Sequence, residues 1–222
     1  MNDFTSNEGV WLIDKPLGWT SFDVVRKMRN ILGIKKIGHA GTLDPLATGL
    51  LIVCSGPYTK QIDNFVGMEK EYTGTFFIGQ TTPSFDLETE PEGSYETEHL
   101  TLELLKSKSK EMIGRQMQTP PLYSAIKMDG KRAYTHARKG TDVKMQPREI
   151  TIYDFGINSF EVPIIGFKIT CSKGTYIRSI ANDYGKLLGS GAYLSSLRRT
   201  AIGSFRVEDA LTIDELMVRF KK

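Results

Sequence analysis

The sequence is poor in residues that carry metal and redox chemistry. Its 222 residues include only two cysteines, three histidines and two tryptophans. Cys54 and Cys171 lie far apart and match no ligand or C-x-x-C spacing, which leaves two reduced thiols of a cytoplasmic protein as the expectation. His39, His99 and His136 show no ligand spacing either, so no metal site is expected. Phosphate-loop, dinucleotide and zinc-protease motifs and the G-x-S-x-G elbow are all missing. No apolar run nears the roughly 18 residues of a membrane span. The opening "MNDFTSNEGV" has no basic and apolar regions of a secretory signal. Neither sign of charge dominates: 29 Lys and Arg against 26 Asp and Glu leave a net value of +3. A nucleic-acid partner is permitted, and where the cations fall decides it.

What is present is a mix of short strands and helices. "GVWLID" and "LLIVC" read as strands, and "YTGTFFIG" as a strand whose Tyr72, Gly74, Phe76 and Ile78 share one face. "TSFDVVRKMRNIL" reads as a helix capped by Thr20 or Ser21, with Phe22, Val25, Arg29 and Leu32 along one edge of its stripe. Residues 80–99 are acidic and read as a long surface loop. "LTLELLKSKSKEMI" reads as a helix, and "KRAYTHARKG" as a basic helix ended by Gly140. Several strands are expected over 143–172. "TYIRSIANDYGKLLG" is the clearest helix, with Ile177, Ile180, Ala181, Tyr184, Leu187 and Leu188 inward and Arg178 on the off-core side. "AYLSSLRRT" reads as a strand and "TIDELMVRF" as a capped helix. The pattern implies an α+β fold around a mostly antiparallel sheet.

Three polar residues stand out: Asp44 in the glycine-rich "KKIGHAGTLDPLATGLL", Tyr72 on a strand and Arg178 on a helix. Each has an ordinary structural reading. Asp-Pro is a common turn pair, an alternating strand tyrosine is a packed aromatic, and basic runs are solvated faces.

Four blocks in order change that balance. "LIDKPLGWTSFDVV" followed by "KKIGHAGTLDPLATGLL", then "EKEYTGTFFIGQTTPSFD", "QTPPLYSAIKMDGKRAYTHARKG" and "CSKGTYIRSIANDYGKLLGSGAYLSSLRRTAIGSF" closely resemble the TruB-type tRNA pseudouridine synthases. The resemblance implies a curved, mixed, largely antiparallel sheet flanked by helices and loops, with an RNA-binding cleft. It implies cofactor-free isomerisation of one tRNA T-loop uridine, position 55 in tRNA numbering, to pseudouridine. Asp44 then matches the catalytic aspartate, Tyr72 the tyrosine that stacks on the target base, and Arg178 the arginine that pairs with the catalytic carboxylate. His39 matches an RNA-contacting histidine. "QTPPLYSAIKMDGKRAYTHARKG" matches a thumb-like insertion, about 118–149, that closes on the T-arm.

Around these motifs the cations Lys15, Lys35, Lys36, Lys131, Arg132, Arg138, Lys139, Arg198 and Arg199 are expected to meet phosphates. Asp86, in "TTPSFD", keeps the spacing of a further candidate, with a turn residue as its alternative. The stretch after the Asp44 loop has no arginine near position 58. The chain is expected to be one catalytic domain over 1–222, monomeric, without the PUA domain that many relatives carry. Two other readings stand beside the enzyme: a tRNA-binding folding chaperone, which would not need Asp44, Tyr72 and Arg178 together, and an RNA-guided synthase of the archaeal and eukaryotic type, which carries a PUA domain and protein partners.

Overall fold

The computed structural model describes residues 7–124, 127–128, 131–132 and 145–220. The chain forms two compact units, one made of 1–73 with 196–222 and the other of 74–195.

In the first unit, β1 (Val10–Lys15) leads into α1 (Ser21–Leu32), and β2 (Ile37–Ala40) into β3 (Ala47–Ser55). The other elements are α2 (Ile62–Gly67), the start of β4 (Lys70–Ile78), the end of β10 (Ala192–Ile202), β11 (Phe205–Arg206) and α5 (Ile213–Arg219). β3 is the hub. It pairs antiparallel with β1 and β2, and parallel with β10 through Leu197–Arg199 against Ala47–Gly49.

Its sequence explains the position. Leu51 and Val53 face a core with Trp11, Ile13, Val24, Met28 and Leu216, while Leu50, Ile52 and Cys54 face another with Phe65, Ile202 and Val207. A strand buried on both faces reads as the continuous apolar run "LLIVC" rather than as an alternation.

Thr20 caps α1 in a capping box with Asp23, and Gly33 ends the helix in the left-handed region at φ 68°. The buried stripe of α1 is Ser21, Val24, Val25, Met28 and Leu32. Phe22, expected on its edge, is exposed; the buried face turns toward Val24 and Met28, where the sheet supplies apolar neighbours. α5 repeats the capping box with Thr212 and Glu215.

The second unit holds the rest of β4, α3 (Leu102–Glu111), β5 (Gly114–Gln118), a short hairpin of β6 (Lys127–Met128) and β7 (Lys131–Arg132), β8 (Arg148–Glu161), β9 (Ile164–Cys171) and α4 (Ile177–Leu188). Its strand order is β10-β4-β9-β8-β5. Phe76 stacks on Phe167 with ring centroids 4.1 Å apart, and Phe155 and Tyr184 complete the aromatic core. Tyr184 donates its hydroxyl to Leu105 O at 2.7 Å, tying α4 to α3.

Parallel and antiparallel ladders together make the sheet mixed and open, and the fold α+β as expected. Four local expectations change. The "KRAYTHARKG" helix begins instead with Lys131–Arg132 paired to Lys127–Met128, and 133–140 lies outside the described residues. Leu187 is exposed, because the buried arc of α4 widens toward Ser179, Asn182 and Gly185. Arg178, expected off the core, is 3% exposed. The acidic stretch is an exposed surface loop over 87–99 as expected, but its start is anchored: Thr82, Ser84 and Asp86 are buried, Thr81 bridges Glu92, and Asp86 bridges Leu194.

Candidate active site

Asp44 is half-buried and opens a turn, its carbonyl accepting from Ala47 N at 3.0 Å. Asp at the first position and Pro at the second suit such a turn. Neighbouring groups clamp the loop on every side. The Ser21 hydroxyl donates to Leu43 O at 3.1 Å and accepts from Leu43 N at 2.9 Å. Gly18 N donates to Pro45 O at 2.9 Å. The Lys15 ammonium reaches Trp19 O at 2.6 Å, Pro16 O at 3.0 Å and Pro45 O at 3.5 Å. Arg199 donates through Nε to Leu50 O at 2.7 Å and through a terminal nitrogen to Gly41 O at 3.1 Å.

Lys15 and Arg199 are therefore buried clamps rather than exposed phosphate ligands; they are 0% and 1% exposed. Chain geometry explains this. Lys15 continues the inward alternation of Trp11 and Ile13, and adjacent Arg198 and Arg199 must point to opposite faces of β10. Arg198 emerges on the other face and holds Asp14 with two bonds of 2.7 and 3.0 Å.

Burial pushes the Lys15 ammonium down to about 8; Asp44 opposes this by attraction, and the Arg199 cation adds to it by repulsion. His39, half-buried on β2, is held below its usual value by burial first and Arg199 second, against a backbone bond at Gly41. Its Nδ1 is buried without a hydrogen-bond partner among the described residues. Lys35 and Lys36 are exposed at the start of the loop. Tyr72 is buried on β4, on the side of Lys70, Phe76 and Ile78.

In the second unit, Arg178 enters a polar nest. It donates to Tyr123 O at 3.0 Å and Ser84 O at 3.3 Å, and its Nε lies 3.5 Å from an Asp86 carboxylate oxygen. Both side chains are nearly fully buried, so each charge is offset inside the fold. The nest is built by a tight turn: Thr82 and Ser84 hydroxyls both donate to Asp86 O, Glu88 N donates to the Asp86 carboxylate, and Phe85 sits at φ +64°. Gln118 grips the backbone before Arg178 at two points, donating to Tyr176 O at 3.0 Å and accepting from Tyr176 N at 2.8 Å. Ser179 donates to Thr119 O at 2.8 Å.

Asp86, a secondary candidate in the sequence, thus carries an ion pair as well as a turn. Ser21 was expected only as a cap and Gln118 only as the first residue of the thumb-like block; their distant partners reveal what they hold. Lys131 and Arg132 lie in the β6–β7 hairpin, while Arg138 and Lys139 lie outside the described residues.

The mixed, open α+β sheet is the fold of the pseudouridine synthases. Among solved structures, a Cbf5–Nop10–Gar1 complex matches with TM-score 0.75 and 29% identity over 96% of this chain, and an archaeal box H/ACA Nop10–Cbf5 complex with 0.71 and 26% over 96%. The chain spans about half of those chains, 54% and 53%. The family model described as the TruB family pseudouridylate synthase N-terminal domain matches residues 29–177, and that of the tRNA pseudouridylate synthase B C-terminal domain matches 178–221. The proteins called tRNA pseudouridine synthase B of Flavobacterium johnsoniae and Desulfotalea psychrophila are 51% and 49% identical, over 92% and 95% of this chain and 92% and 87% of their own lengths. The chain belongs to the TruB family of pseudouridylate synthases. Among the described residues, no helix is long and apolar enough to cross a membrane.

Proposed function

We propose that this enzyme isomerises a uridine of the tRNA T-loop, position 55 in tRNA numbering, to pseudouridine, with Asp44 as the reacting carboxylate. The observation that carries the reading is the clamped Asp44 turn in a chain half identical to tRNA pseudouridine synthases B. Isomerisation breaks the N1–C1′ bond, turns the base and joins C5 to C1′, with no net redox change and no group lost. One ionised carboxylate serves each route: attack at C1′, addition to C6, or removal of the 2′ proton. A preorganised turn supports all three by fixing the carboxylate before substrate arrives.

The target base is unreachable while stacked, so the nucleotide is flipped. Tyr72 supplies an aromatic face for it, worth roughly 1–3 kcal/mol by analogy with other base–aromatic stacks. Arg178, held with Asp86, is assigned to the same reaction, its planar fork suited to a carboxylate. The identity of about 50% to the tRNA enzymes, against 29% or less to the Cbf5 complexes, favours a stand-alone tRNA substrate over guide-directed action.

The test is incubation with an unmodified tRNA transcript, followed by mapping of pseudouridine. A single product at the T-loop uridine is expected. Modification at another position would replace the target, and no modification by well-folded protein would reject the activity and leave the chaperone reading.

A further inference from the structure

Beyond its capping box and the backbone of Gly18 and Trp19 at its start, the exposed face of α1 has no part in the Asp44 turn or the Arg178 nest. Two adjoining grooves run along it. One, of about 320 Å³, is lined by Gly18, Trp19, Asp23, Arg26, Lys27 and Asn30. The other, of about 530 Å³, is lined by Arg29, Asn30, Gly33, Ile34 and Lys35. Asn30 belongs to both, so together they form a track along the helix. Their size falls in the range of ligand clefts, roughly 300–1,000 Å³, but the walls are polar and cationic where small-molecule sites are mainly apolar.

The charge is one-sided. Arg26, Lys27, Arg29 and Lys35 face the track, and Asp23 is the one acid among the lining residues. That acid is engaged within the helix: it closes the capping box and pairs with Arg26 at 2.7 Å. Arg29 is under-satisfied. Its Nε is buried with no hydrogen-bond partner among the described residues, and its terminal nitrogen makes a long 3.4 Å contact to Ile37 O. Its guanidinium also lies 5.7 Å from the ring of Phe22, which is 58% exposed. Phe22 lines neither groove, but the cations and the Asn30 amide of the walls are groups that contact the phosphates and sugars of a nucleic-acid backbone.

We infer that the α1 face is a second RNA-binding surface, a phosphodiester track separate from the Asp44 turn, in which Lys27, Arg29 and Lys35 meet backbone phosphates and Asn30 bonds ribose or phosphate oxygens. The inference rests on the tRNA reading for the identity of the RNA. It assigns to α1 a role in affinity and none in the chemical step.

Lys27→Gln and Asn30→Asp test it, each in the full chain, with Lys108→Gln on α3 as a charge control. Kd for a tRNA transcript is measured from low to moderate salt, with single-turnover rates at saturating tRNA. Lys27→Gln should weaken binding at low salt and reduce the slope of log Kd against log salt by about 0.7–0.9. Asn30→Asp, which places an anion at the wall shared by both grooves, should weaken binding more, by about tenfold. Both should act on KM rather than on the saturated rate, and Lys108→Gln should change neither. Unaltered melting temperatures guard against a folding cause; should Asn30→Asp melt early, Lys27→Gln alone decides. Unchanged affinity and slope in Lys27→Gln would overturn the track, as would a loss confined to the saturated rate. Binding is read independently of turnover, so an inactive wild type would reject the proposed activity without touching this result.

Discussion

Asp44 reads locally as a turn residue, and it is one; its candidacy comes from what holds the turn. Lys15, Ser21, Gly18 and Arg199 all converge on residues 41–45, rigidity that a simple surface turn does not need. Asp44→Asn keeps the shape but removes base and nucleophile, so turnover should vanish while tRNA affinity stays within about tenfold, or roughly 1.4 kcal/mol. Pseudouridine formed at a fair fraction of the normal rate would dismiss Asp44. Arg178→Lys should be severely slowed in single turnovers: one ammonium cannot span Tyr123 O, Ser84 O and Asp86 as a guanidinium fork does. A near-normal rate would dissolve the assigned role. For Tyr72, Phe should retain activity if stacking is the whole contribution, and Leu should lose it; equal activity of the two would remove the stacking claim. The buried clamps were partly legible in advance. Alternation from Trp11 and Ile13 puts Lys15 inward, and neighbouring residues of one strand cannot both face a phosphate. The Arg178–Asp86 pair was not legible, because its partners are distant in sequence and joined only by tertiary structure.

At the scale of elements, periodicity located β1, α1, β3, β4, β10, α3, α4 and α5, and capping residues set helix ends at Thr20, Gly189 and Thr212, while Gly33 is a cap that only the structure brought out. Pairing was beyond its reach. The parallel contact of β3 with β10 joins segments about 150 residues apart, and local pattern carries no record of such a partner. That contact nevertheless left a mark in Gly49. Its φ is +102°, and a Cβ there would come within 2.3 Å of Arg199 O. Gly49→Ala must therefore strain its own backbone and push β10 away. The same movement would drag the Arg199 bonds to Leu50 and Gly41, and with them the Asp44 loop. We expect a stability loss of about 2–4 kcal/mol in urea unfolding, with activity falling more than the folded fraction does. An unperturbed melt would show that β10 adapts freely and that the clamp is looser than its distances indicate.

For the whole molecule, burial of ionisable groups links folding to pH, and two groups act in opposite directions. Cys54 lies between β1 and β2, 0% exposed, and burial raises its thiol from 9.0 to about 11. Between those values the unfolded chain has lost the proton and the native chain keeps it, so native stability falls as pH rises from 9 to 11. The linked free energy is on the order of 3 kcal/mol. Lys15 has the reverse sign. Its ammonium is lowered from 10.5 to about 8, so between those values the native state holds fewer protons than the unfolded chain. Its share of stability therefore rises with pH across 8–10.5. Tyr184, raised by burial, adds a loss above pH 10. Urea unfolding should accordingly show stability rising from pH 8 to 9, where Lys15 acts alone, and levelling above 9, where the Lys15 and Cys54 contributions oppose one another. Single substitutions should expose each. Cys54→Ala should remove the levelling above pH 9, so that stability keeps climbing from 8 toward 10, and Lys15→Met should leave a decline that begins at 9. A constant offset from wild type at every pH, in both variants, would mean that neither group is linked to folding in this way. The saturated rate should also decline as Lys15 loses its proton near pH 8, since a neutral amine has one donor fewer for the three carbonyls that it ties to the Asp44 turn.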